Sequence, residues 1–297
     1  MSPVSCVSVV AALAGEVVKH PNRVALVTGA TRGIGKAAAL SLAREGFDVV
    51  ITGRTLREGE GKATMPYSAD GQQVVVPGSL ETTAAAIRAV GREALPLVMD
   101  VLDRSTLDAV VEQTLARWGR IDLLLNNALY QGPGLMFGFS GFSFDQLEKS
   151  VLGNLVNQAY LARLVLPVMI RQGGGVYVSL SSRAAVSPPQ APPGEGGWGF
   201  VYGAPKSGFH RIAEFIHVEH ARDGIKAFNV EPGFTVTEAT VAMFGADSAA
   251  QFNRHASRPE TTGDVIAWLA TRPEAAELAG TLVSAPGFFQ SRGIVYS

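Results

Sequence analysis

Val24-Ala25-Leu26-Val27-Thr28-Gly29-Ala30-Thr31-Arg32-Gly33-Ile34-Gly35, continued by a helical pattern over 36–45, is the stretch that decides the fold. A short apolar run closed by glycine reads as a buried strand. Strand, glycine-rich turn and helix in direct succession is the context that a dinucleotide-binding turn needs. Glycines let the backbone approach a pyrophosphate closely. The helix N-terminus adds N–H donors and the positive end of its dipole. The glycines are spaced G-x-x-x-G-x-G rather than G-x-G-x-x-G. The bland alternative is an ordinary glycine-rich loop, and the placement between strand and helix argues against it.

The alternation continues along the chain. A second strand, 48–52, ends in Gly53-Arg54-Thr55. A site for NAD usually has a carboxylate there for the ribose 2′-hydroxyl. Here Arg54 stands there instead, with Arg32 in the glycine turn, and two guanidinium groups suit a 2′-phosphate. That favours NADP(H). Arg57 and Lys62 are further cations that could help on the phosphate side, and neither is assigned there. Residues 56–80 are mostly polar or small, with two prolines, and read as a long loop. Helices are expected over 81–91, 105–118, 144–172, from Tyr202 to about 223, and over 262–270. Strands are expected over 95–100, 121–128, 175–180, 225–230 and 281–285. A short helix falls within 234–258. Alternating strands and helices imply right-handed crossovers. The expected fold is α/β: a Rossmann-like, doubly wound, seven-stranded parallel sheet flanked by helices on both faces. Residues 22–297 form one such domain, preceded by an extension, 1–21. Within it, 184–200 is rich in proline and glycine, carries Trp198 and Phe200, and forms no regular element.

Composition narrows the function. The hydrophobic share is 47% with 33 glycines, suited to an α/β core with tight turns. The formal net charge is −1 with no long basic run, which argues against a nucleic-acid partner. Cys6 is the only cysteine, so no disulfide framework or thiolate metal cluster is expected. A reducing, cytoplasmic compartment fits. No apolar run approaches the ~20 residues of a membrane span. The apolar run 7–15 is short and has no preceding Lys or Arg, unlike a secretion signal.

Tyr202 and Lys206 are four residues apart, hence on one helix face. A free phenol has a pKa of about 10, and a neighbouring ammonium lowers it. The pair could therefore be a tuned acid/base, or an accident of spacing. His210, Glu214 and His217 share a face of the same helix at ligand-like spacing.

Together these motifs resemble the short-chain dehydrogenase/reductase family in its compact, one-domain form, over about residues 22–287. Thr28 to Gly35 matches TGxxxGxG, placing Gly29, Thr31, Arg32, Gly33, Ile34 and Gly35 at the cofactor. Asp100-Val101 resembles the adenine-contacting pair, and Asn126-Asn127-Ala128 matches the NNAG element. Pro232-Gly233-Phe234-Thr235-Val236-Thr237 matches PGxxxT at the nicotinamide end. Asn154, Ser182, Tyr202 and Lys206 fall at the family's catalytic positions. The resemblance implies an NADP(H)-dependent oxidoreductase interconverting a carbonyl and an alcohol by hydride transfer, without a metal. Tyr202 is its general acid/base. Lys206 lowers the Tyr202 pKa and holds the nicotinamide ribose. Ser182 binds the substrate oxygen, and Asn154 binds a water that links Lys206 to solvent. It also implies a homodimer or homotetramer through helices 144–172 and 202–223, which makes a structural role for His210, Glu214 and His217 the better reading.

There are departures. Leu129 replaces the last glycine of NNAG. Glu231 precedes Pro-Gly and could reach the floor of the site. Ser182 and Tyr202 lie 20 residues apart, farther than is usual. Two other functions are weighed: a non-catalytic NADP(H) sensor, which tends to lose the Tyr or Lys, and an enoyl reductase, which expects a wider Tyr–Lys spacing. The pocket walls are expected from 129–135, 184–200 and the loop after Thr237. Trp198, Phe200, Phe234, Met243 and Phe244 would suit an apolar, bulky carbonyl compound.

Overall fold

Strand β1 (Val24–Val27) is buried along its whole length, and its residues divide between two cores. Ala25 and Val27 pack into one apolar cluster, and Val24 and Leu26 into the other. Successive side chains of a strand point to opposite faces, so a strand apolar throughout needs a helical layer on each side. This computed structural model describes residues 20–245 and 256–294. The expected extension 1–21 therefore lies, apart from its last two residues, outside the described residues.

The sheet contains β1, β2 (Asp48–Gly53), β5 (Ala94–Val98), β6 (Leu123–Asn126), β7 (Gly175–Leu180), β8 (Ile225–Glu231) and β9 (Leu282–Ser284). Its order is β5-β2-β1-β6-β7-β8-β9, and every neighbouring pair is parallel. The seven-stranded, doubly wound expectation holds. The order reverses between β1 and β6, which makes the ends of those strands the switch point where open α/β sheets bind ligands.

One face is covered by α1 (Gly33–Arg44), α2 (Leu80–Ala89) and α8 (Pro259–Thr271), whose Leu42, Ile87 and Ile266 join the Ala25 cluster. The other is covered by α3 (Arg104–Trp118), α5 (Asn157–Arg171) and α6 (Phe200–His220), through Val110, Val165 and Ala213. A short α7 (Glu238–Phe244) follows β8, and α9 (Ala285–Ser291) follows β9.

Two expectations change. Residues 56–80 are not simply a loop. They contain an antiparallel hairpin, β3 (Lys62–Thr64) and β4 (Gln73–Val75), pairing Lys62 with Val75 and Thr64 with Gln73. Ser68 and Asp70 organise its turn, where the Gln72 N–H donates to Ser68 Oγ at 2.7 Å. The helical stretch 144–172 is also not continuous. α4 (Phe144–Val151) passes through a widened π turn, Leu152–Val156, before α5. Such bulges are frequent at functional sites. The segment 184–200 is irregular apart from a 3-10 turn at Arg183–Ala185 and a bridge between Pro193 and Gly197, and Phe200 already opens α6. Pro205 is the sixth residue of α6 and cannot donate to the Val201 carbonyl, which accepts Ser150 Oγ at 2.7 Å instead.

Candidate active site

The glycine turn is knitted to the end of β6. Thr28 Oγ1 donates to the Leu125 carbonyl and accepts the Asn127 and Ala128 N–H groups at 2.8 and 2.9 Å. Asn127 Nδ2 returns to the carbonyls of Thr28 and Gly29 at 2.7 and 3.1 Å. The turn is tight enough to require glycine. Gly29 has φ +69°, and a Cβ on Gly35 would lie 2.2 Å from the Gly29 carbonyl oxygen.

This turn borders a cavity of about 270 Å³. Gly29, Thr31, Arg32, Gly33, Ile34, Gly35, Arg54, Val101, Asn127, Ala128 and Thr237 all line it. So do Leu129, Gln131 and the hairpin residues Lys62 and Thr64. Glycine-turn amides, a helix N-terminus and exposed cations suit a dinucleotide, so the residues present fit that cofactor. Asp100, Pro232, Gly233, Thr235, Tyr202 and Lys206 do not line this cavity. Asp100 Oδ1 accepts the Leu102 N–H at 2.9 Å and closes the turn after β5. Thr235 Oγ1 donates to the Pro232 carbonyl, and the Gly233 N–H donates to Glu231.

Two side chains alter the expected cofactor contacts. Arg32 Nε and Nη2 donate to the carbonyls of Pro77 and Gly78 at 2.8 and 2.9 Å. The guanidinium thus anchors the base of the hairpin, leaving Arg54 and Lys62 as the exposed cations at the cavity. At the α1 N-terminus, the Gly33 N–H is taken by the Glu238 carboxylate at 2.9 Å. A pyrophosphate seated there must displace that carboxylate.

On the other side of the switch point, β7 runs into Ser181-Ser182 and faces α6. Lys206 is buried and its Nζ donates to the Leu180 carbonyl at 2.8 Å. Burial pulls its pKa down to about 8. Tyr202 is pushed above the ordinary phenol value, first by burial and then by the negative charge of Glu231, while hydrogen bonding to Ser182 opposes the shift. The expected lowering of Tyr202 by Lys206 is therefore not what this arrangement produces. Desolvation of the phenol outweighs the Ser182 hydrogen bond, the contact that favours its ionised form. The Glu231 carboxylate that contributes this charge accepts the Gly233 N–H at 2.9 Å. Ser182 Oγ also accepts the Ala184 N–H at 3.2 Å, which fixes the turn that follows.

Asn154 sits in the π turn, and its side chain binds Tyr130 and Ser150. Oδ1 accepts the Tyr130 N–H at 2.6 Å, and Nδ2 donates to the Tyr130 carbonyl and Ser150 Oγ at 3.1 Å. It braces the 127–131 wall of the cleft and leaves one Oδ1 lone pair with which to accept from a water.

The 184–200 segment walls a cavity of about 630 Å³ with Phe137, Phe139, Trp198 and Phe200. Phe200 packs against Phe139 and Phe142 at centroid distances of 5.1 and 5.8 Å. This cavity reaches α6 at Gly203, Ala204 and Ser207, which helical spacing turns away from the Tyr202–Lys206 face. Of the other expected wall residues, Phe234, Met243 and Phe244 line neither cavity. Thr64 and Glu238 were missed by sequence reasoning, which placed Gln131 only within the 129–135 wall and left Lys62 unassigned. Lys62 offered only its charge as a signal, and Glu238 only its position directly after the PGxxxT match. Among the described residues, no group of three or more His, Cys, Asp or Glu is placed to hold a metal ion, and no helix is long and apolar enough to cross a membrane.

The family model for short chain dehydrogenases matches residues 23–77 and 61–247. A 3-oxoacyl-[acyl-carrier-protein] reductase of Synechocystis is 30% identical over 267 residues, covering 89% of this chain and 96% of that protein. The solved actinorhodin polyketide ketoreductase with NADPH superimposes with a TM-score of 0.70 at 25% identity, covering 89% of this chain and 95% of its own. Levodione reductase does so with a TM-score of 0.70 at 26% identity, covering 88% and 95%. Sheet order, glycine turn and these similarities agree: the chain is an oxidoreductase belonging to the short-chain dehydrogenase/reductase family, whose members bind NAD(P)(H).

Proposed function

We propose that this protein is an NADP(H)-dependent carbonyl reductase or alcohol dehydrogenase, with Tyr202 as the proton donor and acceptor. The observation that carries this reading is the convergence of Ser182, Tyr202 and Lys206, with the lysine anchored on Leu180 beside the serine. When bound, the nicotinamide supplies or accepts the hydride. Tyr202, held protonated by burial and Glu231, donates its proton to the substrate oxygen. That arrangement suits the reductive direction. Ser182 Oγ hydrogen-bonds the same oxygen and stabilises the charge that develops on it. Lys206, a buried ammonium at this face, holds the nicotinamide ribose and supplies positive potential beside the phenol.

Preference for NADP(H) rests on Arg54 and Lys62 at the cavity, with no carboxylate closing β2. The actinorhodin ketoreductase solved with NADPH supports the same choice. Two copies associate through α5 and α6, where Phe215 is 63% and Val218 81% exposed.

The test is NADPH oxidation against a panel of ketones and aldehydes, with Tyr202→Phe in parallel. The wild type is expected to turn over at least one of them. Removing a general acid is expected to lower kcat by about 10²- to 10⁴-fold. Tight NADPH binding without turnover across the panel, or a full rate in the Phe variant, contradicts the proposal.

A further inference from the structure

The end of β7 is held against α6 at three successive residues, and one of the three holding groups has no part in the chemistry above. Leu180 is held through its carbonyl by Lys206, and Ser182 lies against Tyr202. Between them, Ser181 Oγ lies 2.7 Å from His210 Nδ1. Ser181 and His210 are 2% and 4% exposed, so neither can meet a substrate. Tyr202, Lys206, His210 and Glu214 follow one another at four-residue steps, forming one stripe along α6.

Polar partners surround His210. Its Nε2 lies 3.2 Å from Glu214 Oε1, and Arg211 holds the other Glu214 oxygen. Its backbone carbonyl accepts Asn229 Nδ2 from β8 at 2.9 Å, while the Ser181 N–H donates to the Val230 carbonyl at 2.8 Å. An ionised carboxylate only accepts, so Glu214 requires the proton on Nε2. Nδ1 then carries the lone pair and accepts the Ser181 hydroxyl proton. Burial lowers the pKa of His210 and so favours that neutral form.

We infer that His210 is a positioning residue: oriented by Glu214, it fixes Ser181 and thereby sets where the Ser182 hydroxyl stands relative to Tyr202. The resemblance to a Ser-His-Glu hydrolase is one of spacing alone, because Ser181 is closed off from any acyl substrate. The inference rests on the proposed carbonyl chemistry, in which Ser182 and Tyr202 share one substrate oxygen. A displacement of about 1 Å at such a pair is enough to cost on the order of 10²-fold in rate.

The test compares Ser181→Ala, His210→Phe, the double variant and His210→Gln with the wild type and Tyr202→Phe, using the best carbonyl substrate of the panel. Ser181→Ala and His210→Phe are each expected to lose about tenfold or more in kcat, with KM for substrate and Kd for NADPH unchanged within about twofold. The double variant is expected to lose no more than the worse single one, because the two residues act as a unit. Gln can accept from Ser181 and donate to Glu214, and is expected to recover most of the rate. If His210→Phe does not fold, Ser181→Ala and His210→Gln carry the comparison. Unchanged kcat in Ser181→Ala, additive losses, or losses appearing equally in Kd for NADPH would overturn the inference. Absence of turnover in the wild type, or a full rate in Tyr202→Phe, would instead remove the reading beneath it.

Discussion

Lys206 is a buried ammonium that donates to the Leu180 carbonyl, and its environment depresses its pKa to about 8. The unfolded chain keeps its lysine proton up to the ordinary value near 10.5. Between those two values the unfolded state binds more protons, so the lysine's contribution to stability rises with pH. Below pH ~8 both states are protonated and the full desolvation cost applies. Relative to Lys206→Met, the wild type is therefore expected to gain about 2 kcal/mol of unfolding free energy between pH ~7.5 and ~9.5. Denaturant titrations at the two pH values check this, and a constant difference would contradict it. The Tyr202–Lys206 pair was legible in the sequence because its spacing is local. The direction of the Tyr202 shift was not, because burial and Glu231 reach the phenol through tertiary packing. Arg32 shows the same limit: its charge was plain, but its engagement with Pro77 and Gly78 depends on a hairpin that the sequence did not reveal.

That hairpin marks where elements were hardest to read. β3 and β4 have three residues each, too short for alternation to stand out from a polar loop. The larger strands were legible because each combines an apolar run with a glycine or polar stop. The π turn at Leu152–Val156 was hidden inside an otherwise helical pattern. Its sign was Asn154, which spends its side chain on Tyr130 and Ser150. The 184–200 segment was legible as irregular and aromatic, but the cavity it walls opens on the other side of α6 from Tyr202. The hairpin brings Lys62 to the cofactor cavity beside Arg54. Lys62→Ala and Arg54→Ala are each expected to weaken NADPH binding by about tenfold, the scale of one charge-assisted contact. NADH binding should stay within about twofold, since it lacks the 2′-phosphate. Fluorescence titration with both nucleotides checks this. Equal weakening of both would place these cations elsewhere on the cofactor.

Across the molecule, residues alternating along β1 feed two separate cores, and this two-sided burial made the parallel sheet legible from one strand and one turn. What lies between copies was legible only through the family resemblance. A groove of about 760 Å³ between α5 and α6 is lined by Leu166, Ile170, Ile212 and Phe215, and Phe215 stands exposed beside it. Exposed apolar area of this kind marks an interaction surface. The wild type is expected to be at least a dimer by light scattering, and Phe215→Glu to shift it toward monomer. A wild-type monomer, or an unmoved variant, would assign the pair another role. The cradle of Gly29 to Gly35 lies at the switch point of the sheet, and under the proposed function hydride goes to the carbonyl carbon while Tyr202 supplies the proton to its oxygen. The most direct test supplies NADPH deuterated at the transferring position and follows the product by mass spectrometry. Wild type is expected to place one deuterium on the former carbonyl carbon of the alcohol, and Tyr202→Phe to form that product at least about 10²-fold more slowly. Unlabelled alcohol from the wild type, or labelled alcohol at an undiminished rate from the Phe variant, would contradict the account.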